Sequence, residues 1–175
     1  MQRIGTAIVT MWLLTAPTGA AAQDVPPERA RTAFEHLKGL AGQWQQRSTN
    51  DWEGSATIRV IAGGSAVMLT SKVDPHPGSD ETMVTVFHMD GDRLMLTHYC
   101  VAKNQPRLVA TSISADGRAI EFAFRDATNL RSADHGHMSR AVYTLESEDR
   151  YRSRWTFSQK GQERWMEEIV TTRRR

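Results

Sequence analysis

The sequence predicts an all-β fold, a single antiparallel up-and-down barrel of about ten strands with a short N-terminal helix. Apolar and polar residues alternate with a period of two over most of the chain after Gly42, as in Ile120, Phe122 and Phe124. This alternation indicates antiparallel strands with one buried face. Glycine-containing turns separate the alternating segments, and no linker or internal repeat divides them into two domains.

The first 22 residues are expected to form a secretory signal peptide. Arg3 precedes an apolar run, and Ala20-Ala21-Ala22 supply an Ala-x-Ala cleavage site. The run is shorter than the roughly 20 residues that span a bilayer, so we expect cleavage after Ala22 and no stable membrane span afterwards. An uncleaved anchor is the alternative. The sequence thus predicts a signal peptide at 1–22, a β-barrel domain at 23–175, and a periplasmic or secreted protein.

Charge and cysteine content exclude some classes of function. The chain has 22 basic and 20 acidic side chains, a formal net charge of +2 that falls by one when Arg3 is removed. This balance argues against a nucleic-acid-binding protein, which would carry a dominant basic face. Cys100 is the single cysteine, so no internal disulfide is possible, and we expect its side chain to pack as a small hydrophobe.

The predicted elements follow in chain order. Apolar residues recur at helical spacing from Glu28 to Leu40, and Gly39 and Gly42 provide the stop signal. After Gly42 the period changes to two. The ten predicted strands cover residues 43–50, 53–61, 65–72, 81–89, 93–100, 107–114, 119–125, 137–145, 150–157 and 164–171.

The connections between these strands differ in length. Tight turns are predicted at Gly63-Gly64, Asp90-Gly91, Asp116-Gly117 and Ser147-Glu148-Asp149, where glycine supplies positive φ at little cost. An up-and-down order places all four turns at one end. The longer connections, at 73–80, 101–106 and 126–136, would then surround an open, polar mouth. A β-sandwich of the same strands is the structural alternative.

Two segments resemble known families. Leu37-Lys38-Gly39-Leu40-Ala41-Gly42-Gln43-Trp44 resembles the Gly-x-Trp start of the first strand in the lipocalin and nitrobindin-like barrels of the calycin group. The resemblance implies a helix before that strand and an arginine over the tryptophan, supplied by Arg164 or by the terminal arginines. Residues 83–92, 96–100 and 104–107 resemble a family of uncharacterised secreted bacterial proteins, which implies the fold but no activity.

Polar residues that are distant in sequence are expected to meet at the open end. His98 shares a strand face with Leu94 and Leu96, so it is expected inside the barrel, either as a ligand-binding residue or as a satisfied core histidine. The expected ligand-binding residues are His98, Asn104, Gln105, Arg107, Asn129 and His137.

Strand register decides which of these side chains face inward. A two-residue turn at Asp116-Gly117 places Arg107 on the same face as Ile120 and Phe122, so Arg107 is expected to bind an anion inside the mouth, or to pair with Asp126.

For strand eight, one register points Met138, Arg140 and Val142 inward, whereas the other points His137, Ser139, Ala141 and Tyr143 inward. His137 could instead be a rim histidine bonded to a loop carbonyl. Glu168 is expected inside, opposite Ser153, or paired with Arg140, while Arg154 pairs with Glu167 on the outer face.

Metal, haem and catalytic motifs are sparse. His135 and His137 form a His-x-His pair to which His98 could add a third ligand, but no fourth ligand is evident, so no metal site is predicted. The nitrobindin resemblance makes haem possible, with His137 or His98 as its axial ligand, although no motif around that site matches and the cofactor is otherwise unknown. The sequence lacks a Gly-x-Ser-x-Gly elbow, a phosphate loop and a Cys-x-x-Cys pair.

The leading functional hypothesis is a non-enzymatic carrier or sensor of a small, partly apolar molecule in the cell envelope. Aromatic side chains would form the wall of its cavity and the polar residues of the mouth would orient the ligand. The expected aromatic wall consists of Phe87, Phe122, Phe124, Trp155 and Phe157. One alternative is an enzyme with His98 or His137 as general base, and another is a solid structural or interaction barrel.

Overall fold

The computed structural model describes residues 25–73, 82–132 and 134–175, and in these residues one helix precedes a closed antiparallel barrel of ten strands. The helix is α1 (Pro27–Gly39). The strands are β1 (Gly42–Ser48), β2 (Glu53–Ile61), β3 (Ala66–Val73), β4 (Thr82–Asp90), β5 (Arg93–Tyr99), β6 (Gln105–Ile113), β7 (Ala119–Thr128), β8 (His137–Ser147), β9 (Arg150–Gln159) and β10 (Gln162–Arg173).

The strands follow an up-and-down order. Each strand pairs with its neighbours in sequence, and β1 closes the barrel by pairing with β10. The predicted fold class is therefore confirmed and the sandwich alternative is wrong. The predicted signal peptide at 1–22 lies outside the described residues. None of the helices in the described residues is long and apolar enough to cross a membrane.

Helix α1 covers the end of the barrel that carries the tight turns. Its apolar face, which includes Phe34 and Leu37, is buried in the barrel core. The His36 ring shares a 3.0 Å hydrogen bond with the carbonyl oxygen of Asp116 in the β6–β7 turn. Gly117 in the same turn has φ of +72°, a value that favours glycine. Because the helix and the turns meet here, this is the closed end.

Aromatic side chains fill the closed half of the barrel. Phe87 lies 5.2 Å from Tyr143 between ring centroids, and Trp44 lies 5.3 Å from Tyr151, both in edge-on arrangements. Such pairs contribute about 0.5–1.5 kcal/mol each beyond their buried area. Phe122 is also fully buried in this cluster. The closed half is thus a packed core.

An arginine from the last strand covers the first-strand tryptophan. The Arg173 guanidinium lies 4.3 Å from the centroid of the Trp44 ring and donates a 2.9 Å hydrogen bond to the carbonyl oxygen of Ala41. Arg164, the other candidate, is exposed. This contact agrees with what the lipocalin resemblance implies, and the closed ten-stranded barrel is compatible with a calycin-like fold.

One-residue bulges interrupt the register in β6, β7, β8 and β10, and the extra residue in β7 is Arg125. The partner of Ala110 is Phe122 and the partner of Ser112 is Glu121, so Thr111 is the extra residue in β6. Ser139 and Glu146 are the extra residues in β8, and Met166 is the extra residue in β10. Because side chains alternate between faces, each bulge exchanges the inner and outer sets along the rest of its strand.

The bulges overturn several predicted orientations. Arg107 faces outward, contrary to prediction, because the bulge at Thr111 moves Leu108 and Ala110 to the inner face. Likewise Glu168 faces outward, since the bulge at Met166 places Glu167 inside.

The ion-pair partners of Arg154 and Arg140 also differ from the predicted ones. Arg154 contacts Glu168 at 3.6 Å on the outer face, not Glu167, and Arg140 pairs with Glu121 at 2.5 Å. In strand eight, Ala141 and Tyr143 face inward as in the second predicted register.

The open end lies opposite α1. Residues 100–104, 129–132 and 134–136 lie here, and Asn104 Nδ2 donates a 2.8 Å hydrogen bond to the carbonyl oxygen of Gly136. The predicted connection at 73–80 lies outside the described residues apart from Val73. The half of the barrel behind this end contains the candidate site.

Candidate ligand-binding cavity

A cavity with both polar and aromatic walls lies in the open half of the barrel. The volume open to the centres of water-sized molecules is about 40 Å³, enough for about three or four waters at roughly 10–15 Å³ each. The polar lining residues are Gln46, Ser71, Thr85, His98, Ser153 and Glu167. The apolar and aromatic ones are Leu69, Met83, Met138, Tyr143, Tyr151, Trp155 and Ile169.

His98 is the one residue of the expected set that lines this cavity. Its side chain is buried, with 5% of the residue exposed, because β4 and β5 pair without a bulge and keep the predicted face inward. Nδ1 shares a 2.9 Å hydrogen bond with the hydroxyl of Thr85. The Trp155 ring lies 4.9 Å away between centroids. Within the described residues, Nε2 has no hydrogen-bond partner.

Burial determines the charge of His98. Loss of hydration lowers its pKa from 6.5 to about 4, because a charged imidazolium is unfavourable away from water. The ring is therefore neutral near pH 7. A buried polar nitrogen without a partner costs about 1–3 kcal/mol, and a hydrogen-bonding ligand in the adjacent cavity would remove that cost.

Glu167 is a buried carboxylate held by two donors. It is 8% exposed and its Oε2 accepts hydrogen bonds from Ser48 Oγ at 2.5 Å and from Trp52 Nε1 at 2.7 Å. The Ser48 hydroxyl oxygen in turn accepts a 3.0 Å hydrogen bond from the backbone N–H of Asn50. The other oxygen, Oε1, receives no hydrogen bond from the described residues.

Further polar groups line the cavity besides His98 and Glu167. The Ser71 hydroxyl donates to the Gln46 side-chain oxygen at 2.6 Å, and both side chains are buried. Burial raises the pKa of Tyr143 well above its ordinary value, so this phenol is neutral and can donate or accept a hydrogen bond. No lysine or arginine is found among the described residues that line the cavity.

The remaining residues of the expected set lie outside the cavity. Arg107 is exposed and forms a two-point ion pair with Asp126, which is the alternative that the sequence left open. Asn104 is fully buried between the two long connections, where it bonds Gly136.

The other three residues of the expected set, Gln105, Asn129 and His137, contact neighbouring groups at the rim. Gln105 Oε1 accepts a 2.8 Å bond from the Thr128 hydroxyl, and Asn129 Nδ2 donates to the carbonyl oxygen of Lys103. His137 is half-buried and its Nδ1 lies 3.2 Å from the carbonyl oxygen of His135, as expected for the rim alternative. These residues shape the rim.

The aromatic wall is also smaller than expected. Trp155 lines the cavity, as expected. Phe87 and Phe122 belong to the packed closed half, so they are core residues and not part of the wall. Phe157 packs against Gly136, where an added Cβ would lie 2.3 Å from its ring. Phe124 contacts His137 at 4.2 Å between ring centroids.

Sequence reasoning missed Glu167 and Gln46. The signal for Gln46 was available, because it alternates with Trp44 and Ser48 on the inner face of β1. Glu167 could not be chosen over Glu168 without knowing of the bulge at Met166.

The surroundings of His98 do not fit a haem. Trp155 packs close to the His98 ring, Thr85 occupies Nδ1, and the cavity beside them holds only a few waters. A macrocycle bound to either nitrogen would require displacement of the packed core. Among the described residues, no group of three or more His, Cys, Asp or Glu side chains could hold a metal ion.

Comparison with known proteins does not identify a family. No protein-family model matches the chain, and no curated protein is similar to it in sequence.

Proposed function

We propose that this protein is a non-enzymatic carrier or sensor that binds a small, partly apolar molecule in the cavity behind the open end. The observation that carries the proposal is the site's composition: an internal cavity with aromatic walls, a buried carboxylate and a buried histidine nitrogen without a partner. Apolar walls with a few placed polar groups are typical of small-molecule sites.

The position of the cavity supports the same proposal. Side chains fill the closed half of the barrel, so its interior is solid there. In the open half, Gln46, Ser71, Ser153 and Glu167 face inward, where a barrel with a purely structural role would carry apolar side chains. Burying these polar groups costs free energy, and a bound ligand is a reason for keeping them.

A catalytic role for His98 is less well supported. A general base works best when its pKa lies near the working pH, whereas burial lowers the pKa of His98 to about 4. His137, the other candidate base, contacts Phe124 and a loop carbonyl at the rim and is not among the lining residues. Binding therefore accounts for these histidines better than acid–base chemistry does.

We further propose that the chain is exported, cleaved after Ala22 and retained in the periplasm or secreted. The positive residue, apolar run and Ala-x-Ala site of residues 1–22 support this location. Membership of the wider calycin group is part of the same proposal. It is supported by the Gly-x-Trp segment, the preceding helix and the contact between Arg173 and Trp44.

Native mass spectrometry of the full chain, expressed with its own leader and isolated from the cell envelope, tests this proposal. We expect a mature protein that begins at Gln23 and carries an additional small-molecule mass. In a Ser153→Leu variant the larger side chain would enter the cavity, so this mass should be absent, whereas Ser112→Leu, on the exposed face of β6, should keep it.

Melting curves should confirm that both variants fold. An unprocessed chain would contradict the proposed location. Absence of any bound mass from the wild-type protein would contradict the carrier function, as would an identical mass on folded Ser153→Leu.

A further inference from the structure

We infer that the ligand is a small organic cation with N–H donors, such as a primary ammonium or amidinium joined to an apolar group, and that Glu167 binds its charged end. This inference rests on the proposed function and specifies the ligand class of the same cavity. Four features of the site carry it: the donors on Glu167, the missing countercharge, the aromatic wall and the cavity size.

Two hydrogen-bond donors contact one oxygen of the buried Glu167 side chain. The Trp52 indole N–H can only donate, and the Ser48 hydroxyl donates its proton to the same carboxylate. Both bonds end on Oε2. This arrangement leaves Oε1 available to a ligand that carries N–H donors.

No side chain in the described part of the cavity wall neutralises a charge on Glu167. The lining contains no arginine or lysine, and the arginines of the paired strand β9, Arg152 and Arg154, contact Glu168 on the outer face. A buried carboxylate is stable only when it is paired and hydrogen-bonded. A ligand ammonium would supply the missing positive charge, whereas a carboxylate or phosphate ligand would be repelled.

The rest of the wall suits a cation with an apolar part. The faces of Trp155, Tyr143 and Tyr151 carry the negative side of the aromatic quadrupole and attract positive charge. His98 is neutral and therefore does not repel a cation. Met83 and Met138 add flexible apolar contact at the start of β4 and β8.

The volume limits what enters. Space for about three or four waters accommodates an ammonium or amidinium and the carbon atoms next to it. A lipid chain or a large ring system would not fit without repacking of the core. The charged end would thus lie at Glu167 and any larger apolar part toward the open end.

Three phenyl compounds of similar size and different charge test the inference: benzylammonium, benzyl alcohol and benzoate. Each is titrated calorimetrically into the folded full chain. We expect benzylammonium to bind best and benzoate least. Glu167→Gln should weaken benzylammonium binding by roughly tenfold or more, as expected for the loss of a hydrogen bond between charged groups. The matched variant Glu168→Gln, on the outer face, should bind it as the wild type does.

A second measurement on the wild type does not depend on a variant that folds. In nitrogen-15 NMR spectra, the indole N–H of Trp52, which donates to Glu167, should shift when benzylammonium is added. The indole of Trp165, which is 51% exposed, should not shift.

The outcomes separate the inference from the proposed function. If benzyl alcohol or benzoate binds better than benzylammonium and Glu167→Gln changes nothing, the cation inference is overturned and a ligand cavity remains. If benzylammonium neither binds nor shifts Trp52, the inference is also overturned. The mass measurement on the envelope-derived protein then decides the proposed function independently.

Discussion

Acidification is expected to destabilise the barrel through His98. In the folded protein its imidazole is buried beside Trp155, and loss of hydration lowers its pKa to about 4, whereas the unfolded chain has the ordinary value of 6.5. Between pH 6.5 and 4 the unfolded state therefore binds more protons than the folded state. The contribution of neutral His98 to the free energy of unfolding is fully present above pH 6.5 and is lost as the pH falls toward 4.

The size of the effect follows from the difference in pKa. Each pKa unit corresponds to 1.36 kcal/mol, so a difference of about 2.5 units contributes about 3 kcal/mol once the pH is below 4. Between pH 7 and pH 4.5 the expected loss is about 2–3 kcal/mol. His98 is 5% exposed, so solvent screening reduces this value little.

The assay is urea unfolding at pH 7 and pH 4.5, followed by tryptophan fluorescence, for the wild type and for His98→Gln. Carboxylates titrate in the same range in both proteins, so the difference between their pH dependences isolates His98. We expect the free energy of unfolding to fall by about 2–3 kcal/mol more in the wild type than in the variant. His88→Gln, on the outer face of β4, controls for the loss of a surface imidazole.

Parallel losses of stability in the wild type and His98→Gln would refute the reasoning. They would show that the folded protein accepts a proton on His98 as readily as the unfolded chain does. The ring would then be hydrated or paired with an acceptor, and the argument for a neutral group in the cavity wall would fail.

Two further predictions concern packing. Arg173→Ala should lower the free energy of unfolding by about 2–3 kcal/mol, because it removes a cation–π contact and charged hydrogen bonds to backbone carbonyls. Urea unfolding at pH 7 measures the change, and Arg164→Ala, at an exposed position, should change the free energy of unfolding little. Gly136→Ala should cost about 1–3 kcal/mol in thermal or urea unfolding, since its Cβ would lie 2.3 Å from the Phe157 ring. Gly39→Ala, with open space around its Cβ, is the matched control, and an equal loss there would contradict the packing argument.

The strands could be predicted because their signals are local. Alternation with a period of two and glycine turns such as Asp116-Gly117 are contained in a few neighbouring residues. The observed strand ends differ from the predicted ones by a few residues, mainly where β7, β8, β9 and β10 are longer. His98 was assigned to the interior correctly because the β4–β5 hairpin has no bulge between its tight turn and that residue.

The lining of the cavity was harder to predict. A bulge leaves no clear mark in the sequence, since Thr111, Ser139 and Met166 are all acceptable strand residues. Each bulge nevertheless reverses the faces of the residues beyond it. Alternation without these bulges predicts Arg107 inside and Glu167 on the surface, whereas the structure has the reverse.

The sequence by itself determined the all-β class, the number and order of the strands, the helix before them and the end of the barrel that has the longer connections. Those properties follow from short-range periodicity and turn chemistry. The tertiary structure decided which polar residues share the interior, because closure of the barrel fixes the register and the bulges at Thr111 and Met166. It also decided that aromatic side chains fill one half and leave a cavity beside His98 and Glu167 in the other.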